Sequence, residues 1–317
     1  MISDVGVLFI FVLVIRASHC EAEAAPSRTT MSSSLAAASR VTLAFAPRRS
    51  RRGASRVAVA PRASAEPGAK GKLLVLGGTG FVGSKVCELA LEAGYDVVSV
   101  SRRGTPPGGA VGALARVDWR AGDATRPETA RDVLAEPGFV GCVHAVGMLL
   151  ASDLNAIASG SGSKPAPGAT YDDITRVTAS HAADAAAAAL PRSANDAPPP
   201  FVFVSAAEAR WDFRAPVDWL EDYLVAKRAV ERKLEDMNAA KTLRASWLRP
   251  SLVYTLDKPA ALPAVAAFAL GNAVGIPFVD RPVTVDVLAR AAIRALDDDS
   301  RAAGALDFRE MERLAAE

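Results

Sequence analysis

From Lys72 onward, short apolar runs alternate with segments whose apolar residues recur every three to four positions. Leu73 to Leu76 reads as a buried strand, and Val82, Val86, Leu89 and Ala90 then share one helical face until Gly94 supplies a stop. Further strands are predicted at Asp96 to Val100, through Val117 and Trp119, at Phe139 to Val146, at Phe201 to Ser205, and around Trp247 and Leu248. Helical patterns fall between them. One opens near Pro127, with Thr125 and Glu128 at capping-box spacing; an alanine-rich one runs from Tyr171 to Leu190, and another from Val217 to Met237. Regular alternation of strand and helix predicts a parallel sheet covered on both faces, an α/β doubly wound fold.

After Asp257 the pattern changes. Pro259 and Pro263 precede an alanine-rich apolar stretch, Gly275 and Pro277 interrupt it, and Val287 to Leu296 forms a short helix pattern. Residues 70–257 therefore read as the main domain and 258–317 as a small C-terminal substrate-side cap. Its apolar face leaves docking to a partner, peripheral membrane contact or plastoglobule association open. Apolar stretches in this part of the chain are broken by Pro, Gly or charge, so no transmembrane helix is expected in the mature protein.

The first 65 residues carry a different composition and are expected to be a targeting presequence. Between Ala24 and Ala65 there is no Asp, Glu or Lys, while eight Arg and eight Ser interrupt runs of alanine. Residues 25–65 thus have the character of an organellar transit peptide, with a chloroplast as first destination and a mitochondrion as the alternative. The apolar run from Val5 to Ile15 resembles a signal-peptide core, and Met31 offers a second start. With nine Arg in this leader, the chain's net charge of +2 becomes a mild acidic excess beyond it, which argues against nucleic acid as a partner. Cys20, Cys87 and Cys142 are too scattered for a disulfide framework, and the histidines His19, His144 and His181 have no metal-ligand spacing, so no metal site is expected. His144 reads as a strand-end or core histidine.

The segment KLLVLGGTGFVG, Lys72 to Gly83, places glycines between the first strand and the first helix. Gly77 would allow a tight turn, Gly80 a close approach of backbone to a pyrophosphate, and Gly83 close packing of helix on strand, which together point to a dinucleotide. At the end of the second strand, where an acid would bind the ribose of NAD, the chain has Ser101, Arg102 and Arg103. Guanidinium groups match a 2′-phosphate, so NADP(H) is favoured over NAD(H). Asp123 and Ala124 are placed to meet adenine, and Val146 and Gly147 to flank the nicotinamide side.

Tyr223 and Lys227 lie one helical turn apart in YLVAK, so their side chains share a face. An ammonium beside a phenol favours the phenolate, and such a pair can pass a proton to or from a substrate oxygen while hydride moves at a nicotinamide. Ser205, at the end of the fifth strand, could hydrogen-bond the same oxygen. An ordinary amphipathic helix with a solvated Lys is the bland alternative.

GGTGFVG, VSVSRRG, GDAT, VSA, YLVAKRAVERKLE and WLRPSLVY resemble the short-chain dehydrogenase/reductase superfamily, and more narrowly its atypical branch. That branch includes the NADPH-binding accessory subunit of respiratory complex I, a yeast coenzyme Q biosynthesis protein and plant plastid relatives. The resemblance implies a Rossmann fold in which Gly77, Thr79, Gly80, Phe81, Val82 and Gly83 wrap the pyrophosphate. It further implies that Arg102 and Arg103 read the adenosine phosphate, Asp123 and Ala124 meet adenine, and Pro250 to Val253 lie near the nicotinamide. Tyr223 and Lys227 fall where the superfamily has its catalytic pair. The chain departs from the pattern at Thr175, where relatives often place Asn, and at Gly147, Met148 and Leu149. The resemblance implies an oxidoreductase for a carbonyl, quinone-like or isoprenoid substrate, or else a cofactor-bound scaffold for an organellar protein complex.

Overall fold

The computed structural model describes residues 69–106, 112–147, 168–211, 214–215, 218–257, 262–275, 279–297 and 303–317. Residues 1–65, read above as a targeting presequence, Met148 and Leu149, Pro259 and Pro277 lie outside them. Strand β1 (Lys72–Leu76) leads through helix α1 (Phe81–Glu92) to β2 (Asp96–Ser101), β3 (Asp118–Ala121), α2 (Pro127–Leu134) and β4 (Phe139–His144). A π-helical turn, Asp172–Val177, opens α3 (Thr178–Ala189), followed by β5 (Pro200–Val204), α4 (Asp218–Ala239) and β6 (Arg244–Leu248). The main sheet is parallel, in the order β3-β2-β1-β4-β5-β6-β9, with β9 (Gly304–Leu306) at its edge. The order reverses direction between β1 and β4, and ligands of open α/β sheets bind at that switch point, beyond the carboxyl ends of the strands.

Alternate residues of β1 show how the sheet is buried. Leu73 and Val75 pack into one core with Val86 and Leu89 of α1, while Leu74 and Leu76 pack into the opposite core with Ala179, Ala182, Val230 and Leu234. Both faces are covered by helices, as the alternation of elements predicts. In α3 the alanines let the helix approach closely, and Thr170 starts its lead-in turn by accepting from the Asp173 amide at 3.0 Å.

Much of the C-terminal region, read above as a substrate-side cap, packs on the sheet domain. Helix α6 (Val285–Asp297) buries Leu288, Ala292 and Leu296 in the same core as Val86 and Leu89 of α1. Buried Arg244 ties the helix to β6 by donating to the carbonyls of Ala295 and Leu296, each at 2.7 Å. Helix α7 (Phe308–Ala316) adds Met311 and Leu314 to that core. The amphipathic stripe of α6 therefore faces the sheet domain. Among the described residues past 257, α5 (Leu262–Ala273) is the more exposed element, with Leu262 and Leu270 open to solvent. The two-stranded pairing of β7 (Val253–Tyr254) with β8 (Val283–Thr284) precedes α6. No helix among the described residues is long and apolar enough to cross a membrane.

Candidate functional site

The crevice lies where β1 and β4 part. Gly77 follows β1 in the left-handed region at φ 86°, and a Cβ there would meet the Ala145–Val146 peptide at 2.9 Å. Its amide donates to Val100 O at 3.0 Å, and the Ala145 amide donates to Leu76 O at 2.9 Å, so the turn is pinned to both neighbouring strands. A Cβ on Gly83 would overlap the Gly77 carbonyl, which explains why the helix needs glycine in its first turn. Gly78 has an equal constraint that the spacing did not reveal: the space a Cβ would take is filled by the side chains of Ser99 and Cys87.

Gly80 is the residue at the head of α1, extended at φ −82° and ψ 170°, and it brings no side-chain cap. No acidic residue follows in the first turn of Phe81, Val82 and Gly83. A helix start with neither acid nor capping oxygen leaves backbone N–H dipoles for an anion. A Cβ on Gly80 would approach only the Gly77 carbonyl, at 3.2 Å, and one on Gly147 would meet nothing within 4 Å. The half-buried Thr79 lies between the two pinned glycines. Small residues, open space and a positive helix end fit a diphosphate.

Arg102 and Arg103 are exposed at the carboxyl end of β2. Their turn is held shut by the amides of Gly104 and Gly122, which donate to Ser101 O at 3.1 and 3.0 Å. Gly104, at φ 61°, leaves no room for a Cβ against Ala121. Asp123 stands at the end of β3, and its carboxyl is held below the usual range by hydrogen bonds from Thr125 and by the nearby positive charges of Arg102 and Arg126. Asp123 Oδ1 accepts from Thr125 N at 3.0 Å and Thr125 Oγ1 at 2.8 Å. The Thr125–Glu128 capping box is accordingly not formed. Arg126 is the N-cap, and Thr125 turns to Asp123, which as a charged acceptor is the stronger partner. Ala124, half-buried, comes next.

On the other side, Tyr223 and Lys227 are brought together as the helical spacing requires, with Lys227 Nζ 5.6 Å from the Tyr223 ring centroid. Lys227 is only 3% exposed, its Nζ sits 4.7 Å from the Phe203 ring, and it donates to Val204 O at 2.7 Å. Burial lowers its ammonium to about 7. The Tyr223 phenol is pushed up rather than down, first by burial and then by the charges of Glu208 and Tyr171; the ring of Tyr171 meets it edge-on at 5.9 Å. In the described state, burial outweighs the ammonium expected to favour a phenolate.

Ser205 is buried, and its hydroxyl donates to Glu231 Oε1 at 2.5 Å. Glu231 is paired with Arg249, whose Nη2 lies 2.6 Å from Oε2. Ser205 is thus engaged in a buried polar network. Val146 packs against the β1–β4 side, and Pro250 O accepts from the Ala207 amide at 2.9 Å, joining the β6 end to the turn after β5. Val253 begins β7. His144 is fully buried as a core histidine: Nε2 lies 2.8 Å from Thr178 Oγ1, and burial followed by the Lys227 charge lowers it to about 3. Thr175, in the π-helical turn, is buried with an unpartnered Oγ1.

Sequence reasoning passed over Glu208 and Asp280. Glu208 is in the 3₁₀ turn after β5, and Asp280 precedes β8 with Arg210 Nη2 at 2.8 Å. Each sits outside any regular motif, and they meet only through tertiary folding.

Comparison with known proteins agrees with this geometry. Residues 73–161 match the NAD dependent epimerase/dehydratase family. The chain is 37% identical over 86 residues to MIOREX complex component 2 of Saccharomyces cerevisiae, covering 26% of this chain and 30% of that protein. It is 57% identical over 35 residues to an uncharacterised chloroplastic protein of Arabidopsis thaliana, covering 11% of this chain and 12% of that one. The chain thus spans less than a third of the length of either relative. A short-chain dehydrogenase/reductase from Mycobacterium ulcerans shares the fold, with a TM-score of 0.52 and 17% identity, over 76% of this chain and 90% of that one. The segment that bears the glycine turn, residues 73–161, is thus similar to the NAD dependent epimerase/dehydratase family, and it lies on a parallel Rossmann-like sheet.

Proposed function

We propose that this chain, whose first half carries an epimerase/short-chain dehydrogenase type of dinucleotide turn, binds NADP(H) along the carboxyl edge of its sheet. In this reading it moves hydride to or from a carbonyl, quinone-like or isoprenoid substrate in an organelle. The observation that carries it is the head of α1: Gly77 and Gly83 pinned too tightly for any side chain, and a helix start at Gly80 without acid or cap.

Gly77, Thr79, Gly80, Phe81, Val82 and Gly83 would hold the pyrophosphate. Arg102 and Arg103 would pair with the 2′-phosphate, Asp123 and Ala124 would meet adenine, and Val146, Gly147, Pro250 and Val253 would border the nicotinamide. The bound group supplies the hydride. Tyr223 would give the proton, Lys227 would tune and orient it, and Ser205 would orient the substrate oxygen after exchanging its bond to Glu231. A plastid location is supported by the acid-free, Arg-rich leader and by the Arabidopsis relative; the yeast relative keeps a mitochondrion as the alternative.

A second reading has its own support. The Ser205 hydroxyl is committed to Glu231 and the Lys227 ammonium to Val204 O, which suits a protein that uses NADPH to stabilise its native state within a larger assembly. A Tyr223→Phe variant separates the two. Loss of turnover with unchanged NADPH affinity supports catalysis, whereas full function of the variant in cells supports a scaffold.

A further inference from the structure

A charged pair that the reading above leaves without a task joins the segments that follow β5 and β6 at the carboxyl edge of the sheet. The 3₁₀ turn Ala207–Arg210 is clamped on two sides: the Ala207 amide donates to Pro250 O at 2.9 Å, and Arg228 of α4 donates from Nη2 to Trp211 O at 2.6 Å. From this turn Arg210 Nη2 donates to Asp280 Oδ1 at 2.8 Å. Asp280 leads into β8, which is bound to the segment that the reading above puts beside the nicotinamide: Val283 pairs with Val253, and the Val283 amide donates to Leu252 O at 3.0 Å. Lys227, next to Arg228 on α4, donates to Val204 O at the end of β5. The pair and the helix that bears Tyr223 therefore border the same strand end.

Asp280 is 6% exposed, and its Oδ2 is buried with no hydrogen-bond partner. A guanidinium can bridge both oxygens of a carboxylate. Arg210 instead bonds one of them, with its guanidinium carbon 5.1 Å from the Trp211 ring centroid. A buried acceptor without a donor is costly, and such a cost is kept where a ligand supplies the missing group. Beside this bare acceptor the Arg210 side chain is 32% exposed, so it holds N–H donors at the surface. A hydroxyl meets both needs, because its O–H can donate to Asp280 Oδ2 while its oxygen accepts from Arg210. A methyl ether has no proton to give. An ammonium would meet the Arg210 charge, and an anion would meet that of Asp280.

We propose that Asp280 and Arg210 form a subsite for an uncharged hydroxyl of the substrate, so that the protein selects hydroxyl-bearing carbonyl compounds over their methyl ethers and over carboxylates. The inference rests on the oxidoreductase reading, which puts the substrate at this edge. The hydroxyl enters past Arg210, the exposed member of the pair, donates to Asp280 Oδ2 and accepts from the guanidinium. Asp280 and Arg210 set specificity and take no part in moving hydride or proton.

Ligand-observed NMR of the intact protein in the presence of NADP⁺ tests this without turnover, with meta-hydroxyacetophenone, its methyl ether and meta-acetylbenzoate as probes. The wild type should bind the hydroxy compound about ten- to a hundredfold more tightly than the ether, the range of a hydrogen bond to a charged group, and more tightly than the benzoate. Asp280→Asn turns the bare acceptor into an amide donor that an ether oxygen can use as well as a hydroxyl, so the preference should fall to about twofold or less. Equal wild-type affinities for hydroxy compound and ether, a benzoate bound as tightly as the hydroxy compound, or no binding of any probe overturns the proposal whether or not the variant folds. A preference that survives in folded Asp280→Asn, checked by circular dichroism, overturns it too. Oxidation of NADPH with the same ketones separates the two readings. Discrimination in binding without oxidation sinks the oxidoreductase reading and leaves the hydroxyl subsite standing, while oxidation without discrimination sinks the subsite alone.

Discussion

The Cβ that Gly83 lacks would overlap the carbonyl oxygen of Gly77, so α1 can begin close against the end of β1 only while position 83 has no side chain. Gly147, across the crevice, has no neighbour within 4 Å of its missing Cβ. The two glycines should therefore respond oppositely to alanine. Gly83→Ala should destabilise the fold by about 1–3 kcal/mol through overpacking, measured by denaturant unfolding. Gly147→Ala should leave stability within about 0.5 kcal/mol and still weaken NADPH, because the added methyl would enter the proposed cofactor space.

The exposed guanidinium of Arg102 at the end of β2 should select between the two nicotinamide cofactors. Arg102→Ala should weaken NADPH about ten- to a hundredfold in calorimetric titration and change NADH about twofold or less. Equal losses for both cofactors would remove the 2′-phosphate assignment.

Buried His144 gives the fold an acid weakness. Its ordinary value of 6.5 is lowered to about 3 in the folded protein, so between those values the unfolded chain binds more protons. Stability must rise with pH through that window and be lost as pH falls. The loss from this group should be about 2 kcal/mol between pH 6.5 and 5. His144→Gln should flatten that part of the stability–pH profile, whatever its effect at neutral pH.

Ser205 and Arg249 both converge on the buried carboxylate of Glu231. Arg249→Met should cost about 3–5 kcal/mol, since it leaves a buried charge unpaired, and Ser205→Ala about 1–3 kcal/mol. A Ser205→Ala variant of unchanged stability but lost turnover would instead assign the hydroxyl to substrate.

The repeating elements were legible because their periods are long and clean. Leu73 to Leu76, the stripe of Val86, Leu89 and Ala90, and the stop at Gly94 all stand as the hydrophobic pattern requires. Strand β9 was not, because Gly304–Leu306 is too short for an alternating signal; its membership of the sheet is set by pairing with β6. Helix α7 did carry a local mark, the capping box between Asp307 and Glu310, with Asp307 Oδ1 accepting from the Glu310 amide at 3.0 Å. At the site, the helical spacing of Tyr223 and Lys227 fixed their proximity but not their ionisation. That depends first on burial by the rest of the fold and, for Tyr223, then on Glu208 and Tyr171, residues from other elements that folding alone brings near. Gly78 shows the same limit, since its need for glycine arises from Ser99 and Cys87 rather than from the turn.

Calorimetric titration of the purified protein with NADPH tests the central claim most directly. The account predicts saturable binding of one NADPH per chain, tighter than NADH, with a rise in Tm on saturation. Absence of both heat and a Tm shift with NADPH and NADH alike, in a protein shown to be folded, would contradict it.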